Sequence, residues 1–148
     1  MKYKIGLIVV LIFAVLQLFN NEQLPYKAPD ENDLFSHFEE NNQLQTLIVK
    51  NCYDCHSNQV NYPWYSSVAP LSWWIQDHIE HGREEMNFSM WGNYPKDKQQ
   101  HYAEEAIELV KEGEMPLPSY AFIHRHANLS DEDKTAILGF FRSMETGN

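Results

Sequence analysis

The two cysteines of the chain stand three residues apart in "NCYDCH" at 51–56, with His56 directly behind the second. Four chemistries use a thiol pair of this kind: covalent haem attachment, a zinc site, a dithiol redox pair, or a short disulfide. A thioredoxin-like pair belongs in a βαβ setting, and no two-residue alternation long enough for a strand occurs anywhere in the sequence. Zinc needs a fourth ligand and usually a second close Cys or His pair. The remaining histidines, His37, His78, His81, His101, His124 and His126, include no pair at knuckle spacing. A bridge closing so short a loop stabilises little. None of these three readings uses the adjacent histidine.

Haem attachment uses all three residues. Thiols at i and i+3 on one helical turn, Cys52 and Cys55, can add to the two vinyl groups of a haem and form thioethers. The imidazole at i+4, His56, then lies under the iron as proximal ligand. Cys-x-x-Cys-His is the signature of this chemistry. The expected cofactor is therefore one haem c, held through two thioethers.

The elements around the motif follow from periodicity. Leu44, Leu47 and Ile48 recur at helical spacing from about Asn42, and the same stripe runs on to Cys52, Cys55 and His56. Residues 57–70, "SNQVNYPWYSSVAP", read as an aromatic loop. A helix is predicted from near Ser72 to about Met86, followed by a turn region, "NFSMWGNYP". The next helix spans 96–112, where Ala103, Ala106, Ile107 and Val110 share a face. It stops at Gly113, and "EMPLPSY" at 114–120 is expected to be irregular because of its two prolines. Ser130 caps a final helix with Asp131, Glu132 and Asp133 in its first turn. Its expected buried face is Ala136, Ile137, Phe140, Phe141 and Met144. The domain reads as all-α, with four helices beyond the N-terminal apolar segment.

That segment, "MKYKIGLIVVLIFAVLQLFN", sets Lys2 and Lys4 before an apolar run over residues 5–19 and has the form of an export signal. No small-x-small cleavage site follows, so an uncleaved anchor is favoured over a cleaved signal. The expected organisation is a signal anchor or transmembrane helix over 1–20, a tether over 21–41 and a cytochrome c-like haem-binding domain over 42–148. The expected location is the cell inner membrane, single-pass, with the domain facing the periplasm, or the periplasm itself if the signal is cleaved. The chain carries a net charge of −10. A surface this acidic repels nucleic-acid phosphates, and no basic stripe with interleaved aromatics is present, so nucleic-acid binding is excluded. The same charge suits a redox partner with a basic docking face.

The order of "CYDCH" at 52–56, "EMPLPSY" at 114–120 and the helix opening at "SDED" resembles c-type cytochromes. The segments "CYDCHSNQVNYPWYSSVAPLSWWIQDH", "REEMNFSMWG" and "EGEMPLPSY" resemble more closely the small haem-binding domain family of bacterial exported proteins, over about residues 44–143. The cytochrome likeness implies that a Met-Pro loop supplies the second axial ligand, which here falls on Met115. Pro116 and Pro118 stiffen that loop, and a thioether is a soft donor that suits haem iron. Met86, Met90 and the six other histidines are the competing distal donors. Trp64, Trp73, Trp74 and Trp91 are candidates for stacking on the porphyrin, and Arg83 and Arg125 for its propionates. The double-tryptophan segment departs from ordinary small cytochromes. The implied activity is single-electron transfer. Its rivals are a haem peroxidase or gas sensor with an open distal site, and a haem-handling accessory protein.

Overall fold

A computed structural model describes residues 2–20, 22–38 and 41–145. The expectations placed on Met1, Asn21, Glu39, Glu40 and residues 146–148 lie outside the described residues. Six α-helices are present among the described residues: α1 Lys2–Leu16, α2 Asn42–His56, α3 Leu71–Glu85, α4 Lys96–Glu112, α5 Pro118–Ile123 and α6 Asp131–Glu145. Short 3-10 turns join them, and no strand occurs among the described residues. The protein is all-α, as its periodicities predict.

Each helix of the domain has a local cause. The Asn41 side chain accepts from the Leu44 amide at 3.2 Å and opens α2. At α6 the capping is reciprocal: the Asp133 amide donates to Ser130 Oγ at 3.1 Å, and the Ser130 amide donates back to Asp133 Oδ2 at 3.1 Å. Gly113, at φ 76°, ends α4 in the left-handed region where a side chain would be strained. Beyond it the amides of Glu114 and Met115 both donate to the Leu109 carbonyl, at 2.9 and 3.1 Å, and fasten the following loop to the end of α4.

The sequence reading missed α5, since "EMPLPSY" was expected to be irregular. Pro118 occupies the first helical position, where the missing N–H has no partner to lose and the fixed φ already suits a helix. The α6 face also differs in detail. Ile137, Phe141 and Met144 are buried and Phe140 is half-buried against Phe35 and Phe38, but Ala136 is exposed.

α4 packs on α6 and α2 on α3, and aromatic side chains fill the space between the pairs. Tyr53 of α2 stacks on Phe88 with ring centroids 5.2 Å apart, and Phe88 stacks in turn on Phe141 at 6.4 Å. The segment expected as a tether lies along this core. Leu34 is fully buried, and Asp33 beneath it accepts from Tyr53 Oη at 2.9 Å and Gln59 Nε2 at 2.7 Å. A single 3-10 turn over Leu34–Ser36 accomplishes this, too short to leave a periodicity in the sequence. Lys27 adds a backbone bond to Asn58 at 2.9 Å.

Candidate functional site

The last turn of α2 presents Cys52 and His56 to a partly open cavity of about 80 Å³ walled by α4, α6 and the Met115 loop. Cys52 and His56 form one side, and Met86, Phe88, Val110, Met115, Ile137 and Phe141 are among the rest. It adjoins an open cleft of about 460 Å³ that has Cys52, His56 and Met115 in common with it and adds Cys55, His81 and Tyr120. The structure thus brings Met115 to the same space as the Cys-x-x-Cys-His turn, from 59 residues further along the chain. The inner part is almost wholly apolar and the outer part adds polar and charged side chains to an apolar lining, a gradation that suits a flat amphiphilic ligand.

His56 is oriented from behind. Its Nδ1 lies 3.0 Å from the Met86 carbonyl oxygen, which can only accept, so Nδ1 carries the proton and donates. The lone pair is left on Nε2. Burial pushes the ring's pKa down, against the raising effect of that bond, so the ring is neutral at pH 7. A neutral imidazole fixed through its other nitrogen to a carbonyl is the usual form of a metal-ligating histidine.

Both cysteines are free thiols. Burial, and secondarily the neighbouring Cys55, pushes Cys52 up to about 12. Burial and the Asp54 carboxylate push Cys55 up to about 11, opposed by Arg83. In the folded chain the sulfurs are therefore uncharged and poor nucleophiles at neutral pH.

Two further residues position the turn, and the sequence reading singled out neither. Gly82 of α3 faces Cys55 so closely that a Cβ there would meet the Cys55 carbonyl oxygen at 2.8 Å. Its missing side chain is what lets α3 lie against the motif. Asp54, inside the motif, accepts from the Asn61 amide at 3.0 Å and from Tyr120 Oη at 2.8 Å. The second bond ties α5, and so the Met115–Leu117 stretch leading into it, back to the cysteine turn. Neither residue type signals its role without the partner helix in view.

The residues fit an iron porphyrin. The wall is apolar, Asn51 Oδ1 is buried there without a partner, the Cys52 thiol and the His56 ring stand on one side, and the Cys55 thiol borders the adjoining cleft. Among the described residues no group of three or more His, Cys, Asp or Glu side chains gathers at metal-binding distance. The thiols therefore have no further donors beside them with which to complete a zinc tetrahedron, whereas haem iron brings four nitrogens of its own. A family model described as a haem-binding domain matches residues 9–143. The chain belongs to the haem-binding domain family. Neither the curated proteins nor the solved structures contain a match to it.

Within this haem-binding domain the other candidates, Met86 excepted, fall away from the cavity or onto its rim. Met86 lines the inner cavity, on the side where its own carbonyl holds His56. Met90 is 40% exposed and takes a bond from Asn93 Nδ2 at 3.9 Å. His78 and His81 border the outer cleft, with His78 Nδ1 2.8 Å from the Trp74 carbonyl. His124 pairs with Tyr65 Oη at 2.8 Å, His126 with the Lys50 carbonyl at 3.2 Å and His101 with Glu105 at 3.4 Å. His37 lies against Gly92.

No tryptophan lines either cavity. Trp91 is buried in the aromatic core, and Trp64 is 82% exposed. The aromatic walls are instead Phe88, Tyr102 and Phe141. Arg125 is exposed; Arg83 sits outside the cavity lining, its Nε donating to the Ser57 carbonyl at 2.8 Å while Nη2 is buried without a partner. The N-terminal helix, extended by a 3-10 turn, forms one stretch over Lys2–Phe19 with mean hydropathy 2.0 and none of it buried. It is long and apolar enough to cross a membrane or to act as a signal.

Proposed function

We propose that this protein carries a single c-type haem, bound covalently through Cys52 and Cys55, and passes single electrons at the outer face of a bacterial cytoplasmic membrane. His56 serves as proximal ligand and Met115 as distal ligand. The observation that carries this reading is that the Cys-x-x-Cys-His turn and Met115, far apart in sequence, line one cleft, and that Cys52, His56 and Met115 also line the apolar cavity beside it. Each thioether forms by addition of one S–H across one vinyl C=C bond, making an S–C and a C–H bond with no net change of oxidation state. When bound, the haem supplies a one-electron change at iron.

The chain's own residues do the remainder. Met86 holds the His56 ring through Nδ1, leaving Nε2 free to bind. Leu109 anchors the Met115 amide, so the thioether is presented with little ordering left to do. Phe88, Ile137 and Phe141 exclude water from the inner cavity, which keeps the reorganisation of each electron step small. Residues 5–19 anchor the chain, and its acidic surface docks a redox partner with a basic face.

The test is intact mass spectrometry of the full chain matured in a host that makes c-type cytochromes. The expected mass is polypeptide plus one haem, unchanged after denaturation and acid–acetone extraction, with no residues lost from the N-terminus. Haem that extracts freely would remove the covalent reading. A mature start near residues 20–25 would remove the anchor. A high-spin ferric spectrum would favour the rival with an open distal site, a peroxidase or gas sensor.

A further inference from the structure

The apolar helix is fastened to one particular face of the domain. The Gln17 side chain makes a two-way pair with the Ala69 backbone: Nε2 donates to the carbonyl at 3.0 Å, and Oε1 accepts from the amide at 3.0 Å. Trp73 Nε1 donates to the Phe19 carbonyl at 2.9 Å. Asn20 donates to the Ser67 carbonyl, and Gln23 to the hydroxyls of Ser66 and Ser67. All the acceptors and donors on the domain side lie between Ser66 and Trp73. If α1 enters a bilayer, its exit point is pinned against this stretch.

The same face lacks charge. Residues 55–76 contain no Asp, Glu, Lys or Arg, in a chain 22% charged. A protein partner recognised through charge has nothing to meet there, whereas a bilayer surface selects for this composition. The face is aromatic instead. Trp64 is 82% exposed and Trp74 41% exposed. An apolar groove between Trp74 and α5 is lined by Pro63, Tyr65, Trp74 and Ile123, with Cys55 and a single carboxylate, Asp54, also in its lining. Residues 115–124, which include α5, are likewise without Asp, Glu, Lys or Arg, and Ile123 is half-exposed. Tryptophan and tyrosine, with apolar rings and a polar edge, concentrate at the headgroup level of membranes.

We propose that the face carrying Trp64 and Trp74 lies in the lipid headgroup layer, so that the domain is seated on its membrane in one orientation rather than swinging from a tether. This rests on the anchor reading above. It turns the Cys55 side of the haem cleft toward the bilayer and leaves the acidic α4 surface to face the aqueous phase. The occupant proposed is the lipid surface itself.

Photo-crosslinking in the full chain tests this, in vesicles of phosphatidylethanolamine and phosphatidylglycerol. The photoreactive residue p-benzoylphenylalanine replaces Phe13, Trp64, Trp74 or, as an aqueous control between Glu108 and Glu112, Lys111. Lipid adducts at 13, 64 and 74 with none at 111 are expected. An adduct at 13 with none at 64 and 74 overturns the proposal and leaves the anchor standing. Adducts at 64 to a second copy or to another protein overturn it in favour of a protein interface. No lipid adduct at 13 overturns the anchor reading on which it rests.

Discussion

α2 turns two unlike faces to its surroundings within a single turn. On one, Tyr53 is complete: its ring stacks between Phe35 and Phe88 and its hydroxyl donates to Asp33. On the other, Cys52 and His56 border an apolar cavity, Cys55 borders the cleft beside it, and Asn51 Oδ1 is buried without a partner. The packed face needs nothing beyond the polypeptide. The cavity face lacks the contacts that close packing normally supplies, so its ligand is part of the core. Any group that fills it stabilises the fold by binding the native state alone.

The largest effect should come from the cavity face. Cys52→Ala with Cys55→Ala removes both proposed attachment sulfurs, and the haem stain of a denaturing gel should go blank. Tyr53→Phe, one residue from Cys52 but on the packed face, should keep the stain at full intensity. Equal loss in both would erase the distinction between the faces.

The thiols should also give the haem-free chain an alkaline weakness. Their folded values, about 12 and about 11, lie above the ordinary 9.0, so the folded state holds its protons longer than the unfolded. Stability is then intact below pH 9 and lost as pH rises from there through the folded values. Urea unfolding of haem-free wild type should fall more steeply across this window than that of the haem-free double alanine variant. Tyrosines, common to both chains, cancel in the difference. Parallel curves would show that the sulfurs are not buried.

Asp33→Ala breaks the packed face by stranding the Tyr53 hydroxyl and the Gln59 amide. The expected cost is about 3 kcal/mol in urea unfolding, with haem attachment retained. Gly82→Ala should cost less, about 1–3 kcal/mol, by driving a Cβ against the Cys55 carbonyl. Unlike Asp33→Ala it acts on the cavity face, so it should also alter the haem spectrum. A change at Asp33 that shifts the spectrum as strongly would mean the two faces are coupled.

Much of this was legible in the sequence. Helical periodicity located α2, α4 and α6, because each buries an apolar stripe, whereas α3, whose buried residues are Ser72, Gln76 and Ile79, was placed only by its approximate span. The spacing of the thiol pair and histidine, and the prolines and resemblance that marked Met115, pointed to residues that the fold brings to one cleft. What escaped was set by partners distant in the chain. Pro118 reads as a breaker until its position at the start of α5 is seen. Leu34 has no periodic neighbours to announce that it is core. Gly82 matters only because Cys55 stands opposite, and Phe88, inside an unremarkable "NFS", becomes a cavity wall only when α2 and α6 close around it.

The near-infrared spectrum of the ferric protein reads the ligand proposed opposite His56 most directly. A weak sulfur-to-iron charge-transfer band is predicted for the wild-type chain. In Met115→Ala it should vanish, with the reduction potential lowered and the iron opened to cyanide and carbon monoxide. The same band and potential in Met115→Ala would contradict the account and place the sixth ligand elsewhere.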